Sequence, residues 1–347
     1  MKEALFYQKI EGQKVQCQLC HHQCRIAPGR RGICGVRENQ TGVLYSLVYG
    51  KVIAANIDPI EKKPLFNFLP GSKSFSIATI GCNFRCAHCQ NADISQASKE
   101  GLFFERKLIP GEETTPAEIV QAAIDNNCQS IAYTYTEPTI FFEFAFDCMK
   151  LAHQKGLKNV WVSNGYTSVQ ALEMAKPYLD AVNIDLKFFK DSTYQKICGA
   201  KLQPVLDNLI WYKQNNIWLE ITTLIIPSLN DSEEELTAIA KFIKTKLGGE
   251  TPWHVTAFYP TYKLNDLPPT PQATIKRAWQ IGHNAGLHYV YGGNIPDVKS
   301  ESTYCPRCGA AVVERVGYNV KRLDKDGKCQ ACGGDVDLFI DESRPRL

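Results

Sequence analysis

Three cysteines lie in the run Gly81-Cys82-Asn83-Phe84-Arg85-Cys86-Ala87-His88-Cys89, directly after an apolar stretch. The spacing is C-x3-C-x2-C, and no fourth cysteine follows closely. A [4Fe–4S] cube has four irons and normally takes four Cys thiolates. Three thiolates leave one iron open, free to bind and reduce a small molecule. Zinc is the competing reading, but zinc closes its shell with four ligands, often from CxxC pairs. Three cysteines directly after the apolar run 75–80 fit zinc poorly. Cys82, Cys86 and Cys89 are therefore the candidate catalytic metal ligands.

The other cysteines follow the same logic. Of 14 in the chain, eleven fall into tight groups: 17/20/24/34, 82/86/89 and 305/308/329/332. In a reducing compartment such groups read as metal sites rather than disulfides. Cys128, Cys148 and Cys198 stand alone; Cys128 and Cys148, in or beside helix-like segments, read as packing residues. No apolar stretch is long enough to cross a membrane. Residues 1–6 lack the apolar core and cleavage site of a secretory signal. The expectation is a cytoplasmic protein with no membrane role. A net charge of +3, from 39 basic and 36 acidic residues, neither demands nor excludes nucleic acid.

The middle of the chain alternates short apolar runs with longer helix-like ones. Strands are expected at 74–80, 130–134, 159–163, 181–185, 218–225 and 253–258, with a seventh candidate at 288–291. Helices are expected at 116–126, 140–154, 168–176, 204–215, 232–246 and 271–285. Such alternation means parallel β/α units, so the expected class is α/β with a partial (β/α)6 barrel. Ligands of such sheets bind at the carboxyl ends of the strands. Polar residues gather there: Gly81-Cys82, Thr136-Glu137, Ser163-Asn164, Asp185-Leu186-Lys187 and Tyr259. The expected divisions are a Cys-rich metal-binding segment (1–43), a hairpin and loop connector (44–72), the core (73–298) and a zinc ribbon (299–347). The hairpin is expected over 44–57, turning near Tyr49-Gly50-Lys51.

Together, the Cys loop with Gln90-Asn91, the run Ile57-Asp-Pro-Ile-Glu-Lys-Lys-Pro-Leu65 and the run Cys17-Gln-Leu-Cys20-His-His-Gln-Cys24 carry a resemblance. The chain resembles the radical S-adenosylmethionine (SAM) superfamily, within it the pyruvate formate-lyase activating enzyme-like group. More narrowly, it looks like the AmmeMemoRadiSam system enzymes. The resemblance implies that SAM chelates the open iron and is reductively cleaved to a 5′-deoxyadenosyl radical. That radical takes a hydrogen from a substrate, a protein in the activase manner, with RNA or a small molecule as alternatives. A non-catalytic iron–sulfur or zinc scaffold, or an electron-transfer protein, is the reading from another class. Implied partners are a reductant such as flavodoxin or ferredoxin, and Memo-like or AMMECR1-like proteins.

The resemblance also implies cofactor-binding roles. Thr136-Glu137 matches the family's Gly-Gly-Glu-type element for the SAM amino group, with Thr136 in place of a glycine. The alternative for Glu137 is a helix cap ahead of Pro138. Ser163-Asn164 matches an element near the ribose or carboxylate, although Val162 stands where related activases place an Asp. Asp185 and Lys187 match an Asp-Leu-Lys element, with Lys187 facing the SAM carboxylate. His88 falls where the family places an aromatic beside the adenine. Tyr259 is the nearest match to a His after the sixth strand, with His254 at that strand's start.

Two further metal sites are expected. Cys305-x2-Cys308 and Cys329-x2-Cys332, each followed by glycine, form a zinc-ribbon signal remote from the chemistry, with a rubredoxin-like iron site as the alternative. Cys17, Cys20, Cys24 and Cys34 would hold zinc or an auxiliary iron–sulfur cluster, with His21 and His22 bystanders or supports.

Overall fold

The computed structural model describes residues 1–340; the last seven residues of the expected ribbon lie outside them. Eight strands build the main sheet: β1 (Ala54–Pro59), β2 (Lys73–Ala78), β3 (Ser130–Tyr133), β4 (Lys158–Ser163), β5 (Ala181–Asp185), β6 (Trp218–Ile225), β7 (Trp253–Ala257) and β8 (Val290–Gly293). Their order in the sheet is their order in the chain. From β2 to β8 every neighbouring pair is parallel, while β1 runs antiparallel along β2. The result is an α/β sheet of partial-barrel type. β3 is buried at all four positions, because helices cover one face and the barrel interior fills the other.

Local signals start the crossover helices. Thr115 and Glu118 form a reciprocal capping box ahead of α1 (Pro116–Asp125), with Pro116 at the first position. Ser232 caps the helix Glu233–Phe242, whose first turn holds three glutamates facing the positive end of the helix dipole. All six expected strands and all six expected helices are present, and β8 forms two residues later than its candidate range. Short helices at Ala92–Ser95, Gly101–Glu105 and Val298–Glu301 were not foreseen, nor was the longer Asp191–Cys198 between β5 and β6. The last of these buries only Tyr194, Ile197 and Cys198, too few apolar positions to show a helical period.

The expected hairpin at 44–57 does not form. Val43–Ser46 pairs with Arg37–Gln40 and Lys2–Glu3, Lys51–Val52 pairs with Glu112–Glu113, and Ala54–Pro59 joins the main sheet. Gly50 adopts φ 72° and lies so close to Thr114 that a Cβ would fall 2.7 Å from its carbonyl oxygen. The alternation was real, but three different partners satisfy it.

Both cysteine-rich ends share apolar packing with the sheet. Val15, Leu19, Val36 and Leu44 belong to the same core as Ile77, Phe84 and Phe142. Arg37 pairs with Glu143, both about 1% exposed, which ties the amino-terminal strands to the helix Phe142–Gln154. At the other end, Cys305, Val312 and Cys329 pack on Tyr289 and Tyr291 around β8. Buried Arg315 donates to the Phe66 carbonyl (2.5 Å) and Thr303 Oγ1 (2.8 Å), and lies 3.5 Å from Glu61.

Candidate active site

The loop after β2 begins at Gly81, where φ is 103° and a Cβ would meet Val36 at 2.8 Å. Only glycine lets the chain turn there against the amino-terminal segment. The loop is then held from several sides. Phe84 N donates to Cys82 Sγ (3.3 Å), Cys89 Sγ lies 3.0 Å from Ser95 Oγ, and Asn164 Nδ2 donates to Asn83 Oδ1 (2.7 Å). Arg85 N and Ala87 N donate to the carbonyls of Cys198 (2.8 Å) and Ile197 (3.0 Å).

A cavity of about 900 Å³ opens beside this loop at the carboxyl ends of the strands. Cys82, Cys86 and Cys89 line it, as do His88, Thr136, Ser163, Asn164, Asp185 and Lys187. Eleven cofactor or cluster positions were expected here, and nine of them share this one wall.

Burial works against the charge on Lys187, but the Asp185 carboxylate (2.7 Å away) and the Cys86 and Cys198 thiols outweigh it. Its pKa therefore stays well above the usual lysine value. His88 is buried, and burial followed by the Lys187 charge pushes its pKa down to about 3, so its ring is neutral. Burial pushes the Cys82 and Cys89 thiols up, while Cys198 does most to raise Cys86. A coordinated iron reverses this, because metal binding deprotonates a thiol.

Two expected contacts are not on the wall. Glu137 is fully buried behind it. One oxygen accepts from Thr139 N (3.0 Å), Thr139 Oγ1 (2.6 Å) and Ser163 Oγ (2.9 Å), and the other from Asn164 N (2.8 Å). It caps the short 3-10 turn Pro138–Phe141 and fixes Ser163-Asn164 in place. Tyr259 is 54% exposed and donates to the Asn294 carbonyl (3.1 Å), outside the cavity lining. His254 does line the cavity, and its Nε2 is 2.7 Å from buried Glu220.

Other groups were missed. Asp58 accepts from Lys62 (2.9 Å), Lys63 (2.6 Å) and the Tyr135 hydroxyl, and both lysines and Tyr135 line the cavity. Burial lowers the Lys63 pKa to about 8 despite that partner. The dense charge of Asp58-Pro-Ile-Glu-Lys-Lys63 was the available signal. Tyr135 takes a left-handed φ of 61°, unusual for an aromatic residue, at the turn leading into Thr136.

The carboxyl-terminal cysteines meet as expected. Cys305 and Cys332 sulfurs are 3.7 Å apart, Cys308 and Cys329 3.6 Å, and all four lie within 4.8 Å of one another. A tetrahedral zinc with Zn–S near 2.3 Å separates its sulfurs by about 3.8 Å. The donor set therefore fits zinc, and Gly309 (φ 75°) and Gly333 (φ 69°) supply the knuckle turns. The ribbon is not remote from the site, however. Its hairpin of Ala311–Val316 and Asn319–Arg322 turns at Gly317-Tyr318, and Glu301, Gly317 and Tyr318 line the cavity. Cys17, Cys20, Cys24 and Cys34 surround a separate pocket of about 20 Å³ that Asn83 also lines. His22 Nε2 sits 2.9 Å from the Asn83 carbonyl oxygen, so this histidine braces the cluster loop.

A family model described as the Radical SAM superfamily matches residues 76–243. The chain is 46% identical over 343 residues to an uncharacterized protein of Methanocaldococcus jannaschii, covering 98% of this chain and 100% of that one. It is 25% identical over 195 residues to the pyruvate formate-lyase-activating enzyme of Clostridium pasteurianum, covering 53% of this chain and 77% of that enzyme. Among solved structures, a radical SAM methyltransferase from Sphaerobacter thermophilus shares the fold, with a TM-score of 0.50 and 14% identity over 70% of this chain and 71% of that one. The chain belongs to the radical SAM superfamily and is an enzyme with activase-like relatives. The family implies a [4Fe–4S] cluster and SAM as cofactors. A wall carrying three thiols, one already accepting a backbone N–H, fits that cluster.

Proposed function

We propose that this enzyme cleaves SAM at a cluster held by Cys82, Cys86 and Cys89, and takes a hydrogen from a protein substrate in the manner of an activase. The observation that carries the reading is the single cavity of about 900 Å³ that the three thiols share with Asp185 and Lys187. That volume lies at the upper end for small-molecule sites, leaving room for a substrate segment beside a nucleoside-sized cofactor. When bound, the reduced cluster and SAM supply a primary carbon radical. Every other part of the work falls to the chain.

In this reading, Lys187 pairs with the methionine carboxylate, where a charge-assisted bond is stronger than a neutral one. Asp185 accepts from the adjoining ammonium, with the Thr136 backbone and Asn164 beside it. Neutral His88 packs against the adenine, already backed edge-on by Phe188 at 5.8 Å. Glu137 holds the Ser163-Asn164 turn rigid without touching the ligand. The wall holds the cofactor against the thiol loop, so that the radical would form beside the substrate. Cys17, Cys20, Cys24 and Cys34 hold a structural metal, zinc or iron–sulfur, that braces the loop. A flavodoxin- or ferredoxin-like donor supplies the electron. The narrower assignment to the AmmeMemoRadiSam system makes a Memo-like or AMMECR1-like protein the partner.

Anaerobic reconstitution with SAM, dithionite and each candidate protein tests this. The reading expects 5′-deoxyadenosine to form faster with the right protein, which mass spectrometry then finds altered. If RNA or a small metabolite stimulates turnover and no protein does, the protein-substrate reading fails.

A further inference from the structure

Cys198 lies 109 residues beyond the cluster loop, so sequence spacing gave it no role. The structure brings it to the loop through the helix Asp191–Cys198, whose last two carbonyls accept from Arg85 N and Ala87 N. These bonds clamp the backbone on both sides of Cys86. The Cys198 side chain is fully buried, and its sulfur lies within 4.8 Å of both Cys86 Sγ and a ring nitrogen of His88. His88 Nδ1 is itself buried without a hydrogen-bond partner.

We propose that Cys198 is a positioning residue for the cluster. Its S–H donates to the sulfur of Cys86 when that sulfur is an iron-bound thiolate, and so sets the cluster's reduction potential. This rests on the reading that Cys82, Cys86 and Cys89 bind the cluster. The direction follows from charge. A metal-bound thiolate has no proton, so between the two sulfurs only Cys198 can donate. One-electron reduction adds negative charge to the cluster and its ligands, and a donor at a ligand sulfur stabilises that state more than the oxidised one. Hydrogen bonds to cluster sulfurs are among the features that set such potentials. Losing the donor makes the potential more negative and reduction harder. Lys187, whose charge interacts with both Cys86 and Cys198, acts in the same sense.

The test is a redox titration of reconstituted Cys198→Ala and Cys198→Ser, followed by electron paramagnetic resonance of the reduced cluster. Iron content and SAM cleavage of the native protein are measured alongside. The expected result is a more negative midpoint and an altered spectrum for Cys198→Ala, with both restored towards native values by Cys198→Ser. If Cys198→Ala does not assemble a cluster, the isosteric pair Cys198→Val and Cys198→Thr makes the same comparison. Equal potentials for the apolar variant, the hydroxyl variant and the native protein overturn the proposal. So does an equal shift in both variants, which would mark a packing effect. Absence of any [4Fe–4S] cluster on the native protein instead overturns the functional reading beneath it.

Discussion

At the scale of single residues, Glu137 shows how a motif and its geometry can part company. Resemblance marked it as a cofactor contact, yet four donors saturate its carboxylate behind the cavity wall. Its removal should therefore read first as instability. Glu137→Ala leaves buried donors unpaired at about 1–3 kcal/mol each, and a melting scan should show a drop of several degrees. An unchanged melting temperature with lost SAM affinity would return Glu137 to direct contact. Asp58 gives a pH prediction. Burial raises its pKa, but bonds from Lys63, Tyr135 and Lys62 outweigh this and hold it well below the usual carboxylate range. A depressed carboxylate adds stability that is fully present above its unfolded pKa, near 3.9, and lost as pH falls further. Native protein should lose stability relative to Asp58→Asn as pH drops from about 5 towards 2. Parallel melts across that range check this, and identical slopes for the two proteins contradict it.

Between elements, two buried arginines hold the appended segments to the barrel. Arg37 meets Glu143 beneath the amino-terminal strands, and neither side chain reaches solvent. Removing one partner leaves a charge buried alone, at about 3–5 kcal/mol. Arg37→Met should lose that much in a denaturant titration, and a loss below about 1 kcal/mol would show that the pair does not bind the two elements. Arg315 ties the ribbon hairpin to Glu61 and Phe66, and through them to the cavity wall. Metal loss from Cys305, Cys308, Cys329 and Cys332 should therefore be felt at the site. After chelation, amide exchange should rise in 311–322 and also in 61–66. A rise confined to the ribbon would mean that the two segments are not coupled.

For the molecule as a whole, the strands were legible because each is a short apolar run set between longer helix-like stretches. Their carboxyl ends were legible because topology alone says where a parallel sheet binds ligands. The C-x3-C-x2-C loop and the two CxxC pairs were legible because spacing is itself the chemistry. What stayed hidden depends on distance along the chain. Cys198 beside Cys86, Tyr318 at the cavity rim and Asp58 under Tyr135 are contacts that no local pattern encodes. The 44–57 run misled because alternation reports that a segment is paired and not what it pairs with. Tyr259 was placed by analogy with a strand end, and its exposed ring instead bonds to the loop after β8.

The central claim is that three thiolates on one loop leave an iron open for SAM. Its most direct measurement is 5′-deoxyadenosine and methionine formed by anaerobically reconstituted protein with SAM and dithionite, comparing native chain, Cys86→Ala and Cys308→Ser. Native protein and Cys308→Ser should form both products, and Cys86→Ala neither. Undiminished cleavage by Cys86→Ala would contradict the account.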